Sequence, residues 1–305
     1  MMNFTSDVQV YCNVIKELFS LEVNPEETLG LFRAVGLLNP GGTPYKERVK
    51  KFFETANFSL HIVKALGRVS WKKRVVLLEC GCGRSYLSFF INFLLSKADA
   101  REAYFMGVDQ NQRLIEGCNQ VKEALGFKNM NFYASKIIEF EPPEVDEVHI
   151  VFSLHACDTA TDEAIAKGIQ LKARYIIVAP CCQREIVRQL GRVSSGKVAH
   201  PLRGLTEKHL LREQLGITLT ETLRTLVLEA AGYQVDIFTF VSSRYTPKNL
   251  MIRAERTGRQ RLEALQRYHE LKEFFNLRPK IEDFLPHVFG KGEVTEEAIN
   301  YEKYS

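Results

Sequence analysis

No stretch of the sequence approaches the roughly 18 consecutive apolar residues from which a membrane-spanning helix is read. The first residues, Met1–Val10, lack the basic start and long apolar run of a secretory signal. No internal repeat and no low-complexity tract interrupts the chain. No pair of cysteines has the C-x-x-C spacing of common zinc and iron–sulfur sites. Charge of one sign is also scarce in excess: 41 Lys and Arg face 37 Asp and Glu, a net +4. That balance is compatible with an anionic partner but does not demand one.

What is present is ordinary for a globular protein, with 45% hydrophobic and 26% charged residues in 305. A chain of this length buries a large core without disulfides or structural metals. Its seven cysteines are odd in number, and several lie inside apolar runs. They are expected as free thiols in a reducing compartment, with the cytoplasm as the default location and no membrane association.

Residues 1–68 are expected to be helical. Tyr11, Val14, Ile15, Leu18 and Phe19 recur at helical spacing, Asn39-Pro40-Gly41-Gly42 is a break, and a helix resumes from Tyr45 to Leu66. This region reads as a cap with its own packing face and no recognisable chemistry. From residue 74 short β-prone runs alternate with helical ones. The runs are Arg74–Cys80, Ala103–Val108, Asn131–Ala134, Glu147–Leu154 and Arg174–Ala179. Helices are expected at Tyr86–Lys97, at Gln112–Leu125 and from about Ala160. Tyr233–Val241 and Leu250–Ala254 then suggest a hairpin. The pattern predicts an α/β fold: a doubly wound, mostly parallel, seven-stranded Rossmann-like sheet with an antiparallel edge hairpin and flanking N- and C-terminal helices. The expected divisions are residues 1–68, 69–257 and 258–305, the last a solvated helical tail with an acidic end.

Glu79-Cys80-Gly81-Cys82-Gly83-Arg84-Ser85 follows the first strand and opens a helix. Gly81 and Gly83 permit a sharp turn and close approach of a ligand to the backbone. Such a loop suits a pyrophosphate or the amino-acid end of S-adenosylmethionine. The acid decides between them: Glu79 can bind an ammonium group, directly or through water, and would repel a pyrophosphate. The third glycine of a dinucleotide fingerprint is missing as well. Asp109, ending the second strand, is placed to accept hydrogen bonds from ribose hydroxyls. Ser135 and Lys136, after the third strand, fall near the adenine. The expected cofactor contacts are Glu79, Gly81, Gly83, Ser85, Asp109, Ser135 and His155, and the expected cofactor is S-adenosylmethionine.

Ser153-Leu154-His155-Ala156-Cys157-Asp158-Thr159-Ala160-Thr161-Asp162 and Ala179-Pro180-Cys181-Cys182-Gln183 resemble one family of class I methyltransferases. That family carries H-A-C-x-x-A-T-D after its fourth strand and P-C-C after its fifth. It includes bacterial members and the methyltransferase-like domain of eukaryotic proteins with a glutathione-transferase C-terminal-like region. Thr246-Pro247-Lys248-Asn249 resembles its bacterial branch. The resemblance spans about residues 74–256 and implies S-adenosylmethionine-dependent methyl transfer. Glu79 stands where many members carry Asp, and Ser85 where many methyltransferases carry a third Gly. A tRNA ribose 2′-hydroxyl methyltransferase family is similar in part, but Asp158 replaces its Gly and Gln183 its His. Its substrate is therefore not carried over.

His155, Asp158, Cys181 and Cys182 are the candidate catalytic residues, because the carboxyl ends of the strands form the ligand crevice. His155 or Asp158 could serve as general base where the acceptor must lose a proton. The plainer alternatives are a hydrogen-bonded structural imidazole, a helix cap at Asp158 or Thr159, and a buried structural acid at Asp162. Three readings fit the cysteines. Cys157 and Cys181 could act covalently, as in RNA cytosine-C5 methyltransferases, whose fuller motifs are absent here. Cys80, Cys82, Cys157, Cys181 and Cys182 could gather a metal, which the spacing does not favour. The favoured reading is small, packable residues at crowded strand ends, with no metal.

Residues 184–213 hold seven Lys or Arg against three acids, and residues 244–267 hold seven against Glu255 and Glu263. Either a solvated helix face or a phosphate-binding surface fits these segments. Tyr245 and Tyr268 are the only candidates for base stacking. RNA is the favoured partner and acceptor. Protein, a small molecule, or no acceptor at all (a non-catalytic binding module) are the alternatives.

Overall fold

The computed structural model describes residues 8–39, 46–69, 74–98, 102–143, 145–194 and 202–289. Asn39 apart, the expected break lies outside these residues, as do Lys197, His200 and most of the acidic C-terminal end.

Seven strands form one sheet in the order β3-β2-β1-β4-β5-β7-β6. They are β1 (Val75–Cys80), β2 (Ala103–Asp109), β3 (Met130–Ala134), β4 (Ile150–Leu154), β5 (Tyr175–Ala179), β6 (Tyr233–Thr239) and β7 (Leu250–Arg256). The first five run parallel, and β7 lies antiparallel between β5 and β6. This is the doubly wound, Rossmann-like sheet with an edge hairpin that the alternation predicts. β1 shows why it forms. Val75 and Leu77 enter one core while Val76, Leu78 and Cys80 enter the other. A strand buried on both faces needs no polar alternation. Each fully buried Val or Leu contributes about 1.5–3 kcal/mol.

One face of the sheet carries α3 (Lys46–Leu66), α4 (Tyr86–Lys97) and α5 (Gln112–Leu125), with α1 (Val8–Phe19) and α2 (Pro25–Ala34) outside them. Asn24 caps α2 by accepting from the Glu26 and Glu27 amides, with Pro25 pre-set at the first helical position. Tyr11, Phe32, Phe52 and Phe90 form an edge-on aromatic cluster, with centroids 4.6 Å apart for Tyr11–Phe52 and 6.0 Å for Phe52–Phe90. These rings join the same core as Leu77 and Phe152 of the sheet. The N-terminal helices are thus built into the sheet's own core, and residue 68 marks no break in packing.

The other face carries α6 (Thr159–Gln170), α7 (Arg184–Ser194), the short α8 (Arg203–Glu207), the 22-residue α9 (His209–Ala230) and α10 (Leu262–Phe274), followed by α11 (Ile281–Phe284) and α12 (Pro286–Phe289). The expected solvated tail is corrected over residues 262–289. Tyr268, Leu277, Ile281 and Leu285 are buried in the second core, and the Tyr268 hydroxyl donates to Glu282 at 2.9 Å. Among the described residues no helix is long and apolar enough to cross a membrane.

β1 has neighbours reached by crossovers in opposite directions, β2 and β4. The crevice of such a sheet opens beyond the carboxyl ends of these strands, at the switch point.

Candidate active site at the strand ends

The loop after β1 is held by backbone bonds on both sides. The Cys82 amide donates to the Val108 carbonyl at 3.0 Å, and the Ser85 amide to the Cys82 carbonyl at 2.7 Å. Gly81 and Gly83 have φ of +64° and +54°, the left-handed region that glycine enters without strain. Asp109 closes the loop from β2. One carboxylate oxygen accepts from the Gly83 amide and the other from the Asn111 amide, both at 2.9 Å. Asn111 in turn caps α5.

A cavity of about 300 Å³ lies beside this loop, lined by Gly81, Asp109, Ser135, Lys136, His155 and Cys157 among others. Five of these are where the sequence placed a ligand. Glu79, Gly83 and Ser85 are not on its wall. The Glu79 carboxylate is buried and accepts from the Ser85 and Ser88 hydroxyls, each at 2.5 Å. Glu79 and Ser85, expected beside the ligand, contact each other. Both residues position the loop from beneath. The reason is the left-handed Ser85 (φ 51°), which turns its hydroxyl inward at the start of α4.

Burial pushes the Glu79 carboxyl up to about 7, against the two serine hydroxyls and the charge of Lys51. Its folded pKa therefore exceeds its unfolded one. Stability from this group is complete below about pH 4.5 and is lost as pH rises through about 7. Glu185, also raised to about 7 by burial, adds a contribution of the same sign. Glu79→Gln is expected to remove about 3 kcal/mol of the wild-type decline over that window. Chemical denaturation at several pH values checks this. Parallel stability profiles for wild type and variant would contradict it.

His155 and Asp158 flank Cys157 in the turn after β4. Both are non-glycine residues at positive φ, 66° and 55°. Such strain of order 1–3 kcal/mol persists only where the surroundings over-determine it. The His155 amide donates to the Ala179 carbonyl at 2.9 Å and the Asp158 amide to the Cys182 carbonyl at 3.2 Å. The turns after β4 and β5 are thereby tied together.

The His155 ring is held by a residue the sequence did not suggest. Its Nε2 lies 2.8 Å from the Glu54 carboxylate on α3, and its Nδ1 is buried with no hydrogen-bond partner. With Glu54 accepting from Nε2–H, Nδ1 keeps its lone pair. Lys51, one turn earlier on α3, lies 3.8 Å from Glu54. Burial lowers the Lys51 pKa, although Glu54, Glu79 and Cys181 favour its charge. A helix read as lacking chemistry therefore supplies two charged groups to the site. The available signal was an acid and a lysine three residues apart, flanking Phe52 and Phe53.

Asp158 does not cap α6, the helix it precedes. Its carboxylate accepts from the Glu185 amide at 2.9 Å and caps α7 instead. Asp162 is the buried structural acid expected. Arg224 of α9, 1% exposed, donates to Asp162 at 2.7 Å, to Glu221 at 3.0 Å and to the Asp158 carbonyl at 2.9 Å. Gln183 donates to Glu221 at 2.7 Å. This network binds α6, α9 and both turns.

The cysteines separate into two groups. Cys12, Cys80, Cys82 and Cys118 are buried, and the Cys118 thiol donates to the Gly83 carbonyl at 3.3 Å. Cys157, Cys181 and Cys182 converge at the surface, their sulfurs 2.9–3.4 Å apart. A second cavity of about 500 Å³ opens beside Cys181 and Cys182, with Arg184, Arg188, His209 and Lys248 on its walls.

The basic segments contribute unequally. Arg253, Arg261 and Arg267 pair with Asp236, Glu229 and Glu263. Of the seven Lys and Arg in residues 244–267, Lys248 is the one on the wall of the second cavity, beside Pro247, Asn249 and Leu250. Tyr268 is wholly buried, which removes it as a stacking surface. Tyr245 is half-buried, with one face stacked on Phe53 at 4.3 Å.

No curated protein matches the chain in sequence. Among solved structures, the magnesium protoporphyrin IX methyltransferase of Synechocystis with bound SAH is 15% identical, covering 82% of this chain and all of its own, at a TM-score of 0.42. Precorrin-6y C5,15-methyltransferase of Geobacter metallireducens is 14% identical over 64% of this chain and 87% of its own, at 0.39. An rRNA methylase of Streptococcus thermophilus is 9% identical over 60% of this chain and 87% of its own, at 0.37. Residues 49–189 match a family described as a methyltransferase domain. The matched segment runs from α3 into α7. It contains Lys51, Glu54, the glycine loop, Asp109 and both cysteine turns, and its similarity to that domain family agrees with the methyltransferase class and cofactor expected from the sequence.

Proposed function

We propose that the protein is an S-adenosylmethionine-dependent methyltransferase of the H-A-C-x-x-A-T-D and P-C-C family, with RNA as its acceptor. The cofactor fits the residues present. The first cavity joins the left-handed Gly81 to the carboxylate at the end of β2, with Ser135 and Lys136 also on its wall. Gly81 and the Gly83 loop would hold its amino-acid end, Asp109 its ribose hydroxyls, and Ser135 its adenine. Bound there, it supplies an electrophilic methyl group on a sulfonium.

The chain's own residues then align the acceptor and manage its proton. His155 sits on the wall of the first cavity with Glu54 holding its Nε2. That arrangement favours Nδ1 as the acceptor of the proton an attacking hydroxyl or amine must lose. Glu54 acts as a positioning residue.

The observation that carries the RNA reading is the second cavity. It adjoins the first across the Cys157–Cys181 contact and presents Arg184, Arg188, His209 and Lys248 against one acid, Glu213. Four cationic or protonatable side chains around one opening suit phosphates. Protein incubated with methyl-tritiated S-adenosylmethionine and cell extract is expected to yield label that ribonuclease removes and protease does not. His155→Gln is expected to lose that label while still binding cofactor. Label removed only by protease would overturn the RNA reading. No label despite cofactor binding would favour a small-molecule acceptor or a binding module.

A further inference from the structure

We propose that Cys157, Cys181 and Cys182 form a thiolate site for a single zinc ion, with its fourth coordination position open. The inference does not depend on the acceptor proposed above. Among the described residues, this is the one group of three or more His, Cys, Asp or Glu side chains whose ligand atoms converge, all lying within 4.8 Å of one another. The three sulfurs lie at 2.9, 3.4 and 3.4 Å. These separations are too long for a disulfide, whose sulfurs lie about 2.05 Å apart. With zinc–sulfur bonds of about 2.3 Å, tetrahedral ligands sit about 3.8 Å from one another. Each sulfur need move outward only by a few tenths of an ångström.

The ligands are held in advance. Cys157 lies between His155 and Asp158, both at positive φ, and the Asp158 amide bonds to the carbonyl of Cys182. Asp158 also caps α7, and Arg224 grips its carbonyl. The turn after β4 is therefore fixed relative to the turn after β5 with no ion present. Ligands from two turns also explain why no C-x-x-C spacing betrays the site.

Soft thiolates select zinc, copper(I) or iron–sulfur clusters over hard cations. Three cysteines are one short of the four thiolates that a cluster usually takes. Zinc with three protein ligands and one open position is the arrangement of catalytic zinc sites. Binding converts three thiols to thiolates and releases three protons to solvent. The zinc–thiolate group then carries one negative charge, and Lys248 Nζ lies 4.0 Å from the Cys182 sulfur to offset it. Cys157 lines the first cavity, while Cys181 and Cys182 line the second. The open position thus falls at the junction where a methyl acceptor would lie.

The test uses the full chain, reduced and stripped of metal, titrated with zinc against a chromophoric indicator. One zinc per chain is expected, with three thiols protected from alkylation. Cobalt(II) in its place is expected to give the thiolate-to-metal charge-transfer absorption of a tetrahedral site. Cys157→Ser removes an exposed side chain, and circular dichroism verifies its fold. Its affinity is expected to fall by more than the roughly 100-fold lost when an outer-sphere partner is removed. No stoichiometric zinc, no charge-transfer band with cobalt, or wild-type zinc affinity in Cys157→Ser would each overturn the site.

Discussion

Arg224→Met is expected to destabilise the protein by about 3–5 kcal/mol, because it leaves two carboxylates buried without their cation. Arg224 is almost fully buried, and so are its partners Asp162 and Glu221. Burial works against the guanidinium charge, yet the two acids raise its pKa and hold it charged. Burial also raises the Glu221 pKa despite Arg224, and one Glu221 oxygen has no hydrogen-bond partner. The network is therefore only partly satisfied, and removing its one cation exposes the full desolvation cost. Thermal unfolding is expected to shift down by roughly 10 °C at about 2–4 °C per kcal/mol. Asp162→Asn added to Arg224→Met is expected to recover part of the loss. A variant within about 0.5 kcal/mol of wild type, the range of ordinary surface changes, would contradict the network's role. Function is coupled to this network through the Asp158 carbonyl and Gln183, which belong to the turns after β4 and β5.

Asp109→Ala is expected to weaken S-adenosylmethionine binding at least about 100-fold, since each hydrogen bond to a charged group contributes about 1.5–3 kcal/mol and two ribose hydroxyls are lost. The effect has a second source in this chain. Asp109 also accepts from the Gly83 amide, so the variant loosens the loop that would carry the amino-acid end. Asp109→Asn keeps an acceptor and is expected to fall between the two. Calorimetry measures all three proteins. Unchanged affinity in Asp109→Ala would remove the ribose assignment.

The sheet was legible because the strands are short apolar or alternating runs separated by helical stretches, and local pattern suffices for such elements. Gly81, Asp109, Ser135 and His155 were legible for the same reason, since a doubly wound sheet sends its strand ends to one crevice. Glu54 and Lys51 were not, because their chemistry comes from α3 meeting the turn after β4, more than a hundred residues away for the Glu54–His155 pair. Asp158 preceded a helix and read as its cap. The left-handed φ of 55°, which no local pattern announces, turned the carboxylate to α7 instead. Tyr268 read as exposed because its helix is rich in charge, yet it packs in the second core with Leu277 and Ile281. The three-cysteine cluster needs the β4–β5 pairing to exist at all, since Cys157 and Cys181 are 24 residues apart.

The central claim is that the first cavity, bounded by Gly81, Asp109, Ser135 and His155, takes S-adenosylmethionine and not a dinucleotide. Calorimetric titration of the wild-type chain with S-adenosylhomocysteine and, separately, with NAD tests it most directly. Saturable one-to-one binding of S-adenosylhomocysteine, with no heat from NAD, is the predicted result. Binding of NAD with none of S-adenosylhomocysteine would contradict it.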